Sequence, residues 1–271
     1  MKREIDSLQI EAAQKKTPWF KQIPVLVSIG ALLLAGLTTY YSERRSDEQE
    51  LHNARTELRQ VLFEIDAETR RLAVVPGEVN AQRSNPQVAS ATNPANAANA
   101  TIIARSEAVT RRIILTNQAA ELVEELGDSV TATEYYALGV AVSQLGTYDD
   151  RIFEYYRRGL EEPADPSTRL ALLRNLAGAY FATDRADEGR PYYSDALSVP
   201  FQFSTTKLDN DAYTHYLWAV SELYVGDCGE ATEQLTASRR GYEDLRNAGG
   251  TVLPAITTQL HTVAKSIADR C

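Results

Sequence analysis

The chain of 271 residues holds only two cysteines, three histidines and one methionine, and these scarcities remove several kinds of chemistry. His52, His215 and His261 lie in three separate stretches, and no Cys/His spacing resembles a zinc site. No glycine-rich loop follows a strand pattern to cradle phosphate, and no nucleophile sits beside a base in a recognisable motif. The pairs Asp149-Asp150 and Glu161-Glu162 fall at a turn and at a helix end, where solvated charge is the ordinary explanation. No catalytic residue, metal or cofactor is expected, and the chain does not read as an enzyme.

Positive charge is also short where a nucleic-acid binder would need it. Residues 132–271 carry thirteen basic and twenty acidic side chains, the opposite of a surface that neutralises phosphates. Residues 1–22 differ, with five Lys/Arg against three Asp/Glu. Between Lys21 and Glu43 lie twenty-one residues without a charge, centred on VLVSIGALLLAGL. That length crosses a hydrocarbon core of about 30 Å as a helix, and Trp19, Phe20, Tyr40 and Tyr41 flank it as interfacial aromatics do. A short tail (1–22) and a single uncleaved transmembrane helix (23–41) are therefore expected. The run LLLAG begins like a lipoprotein signal, but Leu37 stands where the lipid-bearing Cys would be. Flanking Lys/Arg are nearly balanced, so the positive-inside rule only weakly orients the span. The orientation adopted puts the body outside the cytoplasm, on the periplasmic side of a bacterial inner membrane.

Beyond the span, Leu51, Leu58, Ile65 and Leu72 recur every seven residues, with Ala54 and Val61 between them and Glu68 interrupting. Segment 42–75 is read as a helical stalk, and two uses stay open: pairing with a second copy of the chain as a coiled coil, or lying as an amphipathic helix against the body or lipid. Residues 76–100, PGEVNAQRSNPQVASATNPANAANA, have almost no large apolar side chains and read as a flexible linker. A leading helix is expected over 101–131, with Ile102, Val109, Ile113, Ala120 and Val123 at helical spacing.

The segments from 132 to 246 repeat a pattern. EYYALG near Glu134 compares with RNLAGAY near Arg174, and YYRRGLEEP at 155–163 compares with YYSDALSVP at 192–200. LWAVSELYVGDCGEATEQLTAS at 217–238 is a third version. Small residues recur at Gly139, Ala177, Ala196, Ala219 and Ala231, among large ones such as Tyr135, Leu138, Tyr155, Leu176, Tyr180, Tyr193 and Trp218. These segments resemble tetratricopeptide (TPR) repeats, whose unit is a helical hairpin of about 34 residues. The resemblance implies an all-α chain with an α-solenoid of three repeats (132–246) and a C-terminal capping helix (247–271). In outline the chain is similar to bacterial inner-membrane TPR proteins that accompany the secretion translocon.

In such solenoids the inner faces of the first helices line a concave groove. Alignment to the repeats places there Tyr136 and Val140, then Arg174 and Phe181, then Tyr213, Tyr216, Val220 and Leu223. The groove is aromatic and apolar with one central cation, unlike the polar clamp of chaperone-tail binders, and it suits a hydrophobic or amphipathic protein segment. The competing expectation is that the 101–126 helix or a partner subunit covers these residues. The resemblance thus implies a membrane-anchored adaptor for a partner protein or unfolded client, assisting secretion or envelope assembly. The alternative is a purely structural scaffold of an envelope or division complex. Cys228 at a repeat turn and Cys271 after the capping helix could meet as a disulfide, which persists only in oxidising surroundings.

Overall fold

The computed structural model describes residues 48–72, 94–146 and 149–271, and among them every regular element is helical. Residues Ala54–Cys271 form one compact unit, and the preceding unit, Met1–Asn53, lies almost wholly outside the described residues. The tail and the membrane span expected at 1–41 are outside as well. No helix among the described residues is long and apolar enough to cross a membrane.

Helix α1 covers 48–72. Helix α2 is Pro94–Leu126, followed by a 3-10 turn at Gly127–Ser129. Local chemistry then punctuates the chain. Helix α3 (Ala132–Ser143) opens with a capping box: Thr131 Oγ1 accepts the Glu134 amide at 3.4 Å, and the Glu134 carboxylate accepts the Thr131 amide at 2.9 Å. Helix α4 (Asp150–Glu161) is capped by Asp149. Helix α5 (Pro166–Ala182) starts on a proline that needs no amide partner, with Asp165 accepting from Ser167 and Thr168. Helix α6 (Ala186–Leu197) leads to α7 (Ser204–Val225), which stops at Gly226 with φ 86°. Only glycine adopts that left-handed cap without strain. Asp227 caps α8 (Cys228–Asn247), and Pro254 begins α9 (Pro254–Arg270).

Consecutive helices pair: α3 with α4, α5 with α6, and α7 with α8. Each hairpin also packs on the next, α3 touching α5 and α5 touching α7 through their first helices. The repeated small residues lie at these approaches, since Gly139, Ala177, Ala196, Ala219 and Ala231 are all buried. At Gly139 a Cβ would fall 2.8 Å from Tyr156 Cδ1 and 2.9 Å from its Cζ. The aromatic ring of α4 therefore occupies the place of a side chain on α3. Tyr135, Leu138, Tyr155, Leu176, Tyr180 and Tyr193 are buried between the helices.

The apolar stripe of α1 is occupied within the chain. Ala54, Leu58, Val61 and Ile65 are buried in one core with Leu115, Ala119, Leu122 and Val123 of α2 and with α3. Of the two uses open to the stalk, packing on the body is the one found. Gln118 of α2 donates to Glu57 at 3.0 Å, and Arg111 pairs with Glu64 at 3.5 Å. These pairings run α1 and α2 in opposite directions. Arg59 of α1 ties to Glu134 of α3 at 2.8 Å.

One expectation is corrected. Residues 94–100, assigned to the linker, are the start of α2: proline suits the first turn and alanine is the strongest helix former. The rest of that linker lies outside the described residues. Of the α2 residues at helical spacing, Ile102 and Ile113 are 66% and 41% exposed, Val109 and Ala120 are half-buried and Val123 is buried. The fully buried apolar residues of α2 include Ala108, Leu115, Ala119, Leu122 and Val123. Helix α7 is longer than α5, 22 residues against 17, with the added residues at its N-terminal end. Lys207, in the added turns, donates to the Leu197 carbonyl at the end of α6 at 2.7 Å, a cation at a helix C-terminus.

Helix α9 closes the last hairpin. Leu260 and Val263 pack in one core with Ala212, Ala219, Leu235, Tyr242 and Leu245 of α7 and α8. A disulfide joins Cys228, the first residue of α8, to Cys271 after α9, with Cα atoms 5.9 Å apart.

Candidate functional site

The site is built on the first helices α3, α5 and α7, which stand side by side. Its centre is Arg174 on α5. The guanidinium lies with its carbon 5.2 Å from the centroid of the Tyr213 ring on α7, a cation–π distance. Its Nε and Nη2 donate to Thr214 Oγ1 at 3.0 and 2.8 Å, and Nη2 also donates to the Asn210 carbonyl. Thr214 is fully buried, so this hydroxyl is held in one place. Tyr213 stacks on Tyr216 with centroids 5.7 Å apart, extending the aromatic surface along α7. Burial pushes the Arg174 pKa down, and the facing tyrosines offset only part of that effect. Burial likewise raises the pKa of Tyr216, with a smaller contribution from Tyr213.

Arg174, Tyr213 and Tyr216 are thus brought together, all half-buried. Val220, 38% exposed, continues the strip outward. Tyr136 and Val140 are half-buried on α3, and no hydrogen bond, ion pair or ring contact among the described residues links them to Arg174. Two residues assigned to the groove are core. Phe181 is 1% exposed and packs with Ala177 and Tyr193. It fits because Gly189 of α6 has no side chain, a Cβ there falling 2.8 Å from Phe181 Cδ2. Leu223, 9% exposed, turns into the α7–α8–α9 core. It lies about 80° around the helix from Tyr213, whereas Tyr224, eleven residues on, returns to within about 20°. Tyr224 is 67% exposed and is the strip residue that the repeat alignment missed; strict helical phase from Tyr213 finds it.

Supporting residues hold α7 in register with α6. Arg190 makes a two-pronged ion pair with the fully buried Glu222, at 2.8 Å to each oxygen. Glu222 also accepts from Trp218 Nε1 at 2.7 Å. Tyr193 stacks on Trp218 with centroids 5.6 Å apart and shares a hydrogen bond with Ser221 at 2.9 Å. Burial pushes the Tyr193 phenol up to about 12. Beyond Arg174 the groove floor is open at Gly178, where a Cβ would meet nothing nearer than the Tyr193 hydroxyl at 3.9 Å.

A second concavity of about 510 Å³ lies between α1, α3 and the α4–α5 connection, lined by Arg59, Leu62, Glu134, Ala137 and Pro163. Its principal charges face each other, Arg59 on Glu134. Among the described residues no group of three or more His, Cys, Asp or Glu is placed to hold a metal ion. No family model, curated protein or solved structure matches the chain.

Proposed function

We propose that the chain is a single-pass, membrane-anchored adaptor of the tetratricopeptide type that holds a segment of a partner protein against its first helices. The observation that carries this reading is the row α3, α5 and α7, each touching the next, with a strip of half-buried Tyr213 and Tyr216 and exposed Val220 and Tyr224 beside Arg174. Aromatic side chains give much contact area for little ordering entropy, which suits an acceptor of extended or amphipathic segments. The uncharged run at 23–41 supplies the anchor. The Cys228–Cys271 bridge supports a body outside the cytoplasm, where such bonds persist. Assistance to secretion or envelope assembly is the role that the resemblance in outline to inner-membrane TPR proteins suggests.

A second reading, a structural scaffold, is favoured by the outward Ile102, Ile103, Ile113 and Ile114 of α2. The two separate by position-specific photocrosslinking in intact membranes. The adaptor reading expects a defined adduct from a photoreactive residue at Val220 or Tyr224 and none from Arg239, on the exposed side of α8. Adducts at Ile103 or Ile114 alone favour the scaffold, and equal adducts at every position remove the adaptor reading.

A further inference from the structure

Arg174 is the cation at the centre of the site. No carboxylate lies within ion-pair distance of it among the described residues, although Arg190, Arg185 and Lys207 in the same hairpins each have one. Its two hydrogen-bonding nitrogens are engaged by neutral oxygens, and Nη1 makes no hydrogen bond among the described residues. Asp211, the acidic group of the facing helix whose charge acts on Arg174, is itself held by Lys207 Nζ at 2.7 Å to both oxygens. A half-buried guanidinium in this condition has lost hydration without gaining a counter-charge, and an incoming carboxylate supplies what is missing.

We propose that Arg174, flanked by Tyr213 and Tyr216, receives one Asp or Glu side chain from within an otherwise apolar segment of a partner protein. This rests on the adaptor reading and names the chemistry of its ligand. Three observations select that ligand. One turn along α5 from the cation, the half-buried Gly178 carries no side chain, and a Cβ there would meet only the Tyr193 hydroxyl at 3.9 Å. The surfaces on either side are aromatic and apolar, so flanking residues of the same character are buried favourably. The body around the site is itself acidic, with twenty acidic against thirteen basic side chains over 132–271, which repels an acidic tract or a phosphate group while leaving one local attraction. A terminal carboxylate is less suited, because α3 offers Tyr136 and Val140 where further cationic or amide donors would be needed to fix a chain end.

The test uses the full chain in lipid nanodiscs and three fluorescent nonapeptides of identical Leu, Val and Tyr flanks, read by anisotropy. One is amidated with a central Glu, one is amidated with a central Gln, and one carries the central Gln with a free C-terminus. The Glu peptide should bind about tenfold or more tighter than its amidated Gln counterpart, the range expected of one charge-assisted hydrogen bond. Arg174→Gln should abolish that difference. Gly178→Leu, which fills the floor and leaves Arg174 intact, should weaken all three. If Arg174→Gln loses helicity, the Glu-over-Gln preference of the native protein and the weaker binding of all three peptides by Gly178→Leu decide alone. Equal binding of the two amidated peptides, or no binding of any, overturns the proposal. Preference for the free C-terminus overturns the internal side chain as the source. Failure here with a retained Val220 adduct leaves the adaptor reading standing; loss of that adduct removes both.

Discussion

Two glycines on the first helices should respond in opposite directions to the same substitution. At Gly139 an added Cβ falls 2.8 and 2.9 Å from Tyr156 Cδ1 and Cζ, and Tyr156 is buried with no room to swing aside. Overpacking of this kind costs about 1–3 kcal/mol, and three ring carbons crowd one methyl, so the upper end applies. Replacing glycine by alanine inside a helix returns about 1 kcal/mol. Gly139→Ala should therefore destabilise by about 2 kcal/mol, or about 4–8 °C in Tm for a domain of this size. Gly178 lies on a neighbouring helix with its nearest foreign atom 3.9 Å from the would-be Cβ. There the helix gain is unopposed, and Gly178→Ala should stabilise by up to about 1 kcal/mol. Urea unfolding followed by far-UV circular dichroism reads both. A Gly139→Ala variant as stable as the native chain would mean that α3 and α4 do not approach as described.

Replacing Cys228 or Cys271 by Ser should lower stability by up to about 4 kcal/mol, the chain-entropy value for a loop of 43 residues; an unchanged urea midpoint under non-reducing conditions refutes the tie. Arg190→Ala leaves the Glu222 carboxylate buried with only the Trp218 indole, and should cost about 3 kcal/mol. Double replacement by Arg190→Met and Glu222→Gln should recover part of that loss, and no recovery would argue against the pair. Glu134 gives a pH dependence: burial raises its pKa, but hydrogen bonds from Thr131 and Arg59 and the charge of Arg55 outweigh this and hold it below its ordinary value. A depressed carboxylate stabilises above its unfolded pKa and loses that stabilisation as pH falls through the folded one. Glu134→Gln should flatten this part of the acid limb, measured as Tm against pH below about 5.

Much of the helical order was legible because it rests on local signals. Thr131-x-x-Glu134, Asp165-Pro166 and Gly226 mark helix ends in the sequence itself, and the seven-residue spacing through Leu58 and Ile65 marks the buried side of α1. What was not legible depends on partners far along the chain. Helix α2 has two apolar sides, and periodicity cannot choose between Ile102 with Ile113 and Leu115 with Leu122; α1 and α3 make that choice. Phe181 has the phase of a groove residue, and only α6 folding over the end of α5 buries it. The Arg190–Glu222 pair spans 32 positions and shows no local pattern. Arg174 was identifiable as the central cation, but its lack of a counter-charge needed the neighbouring helix.

The bridge between Cys228 and Cys271 has a bearing on how the array comes apart. Where each hairpin leans only on its neighbours, opening starts at a free end and runs inward like a zip. With Cys271, just past the end of α9, fastened to the first residue of α8, α9 can lift only as a closed loop. Unzipping from that side is blocked until α7 and α8 go together. The opposite side, where α1 lies on α2 and α3 through Leu58, Val61 and Ile65, has no covalent fastening among the described residues. Amide exchange in the oxidised protein should then have a direction, with α1 opening on its own and α9 exchanging only at the rate of the whole C-terminal hairpin.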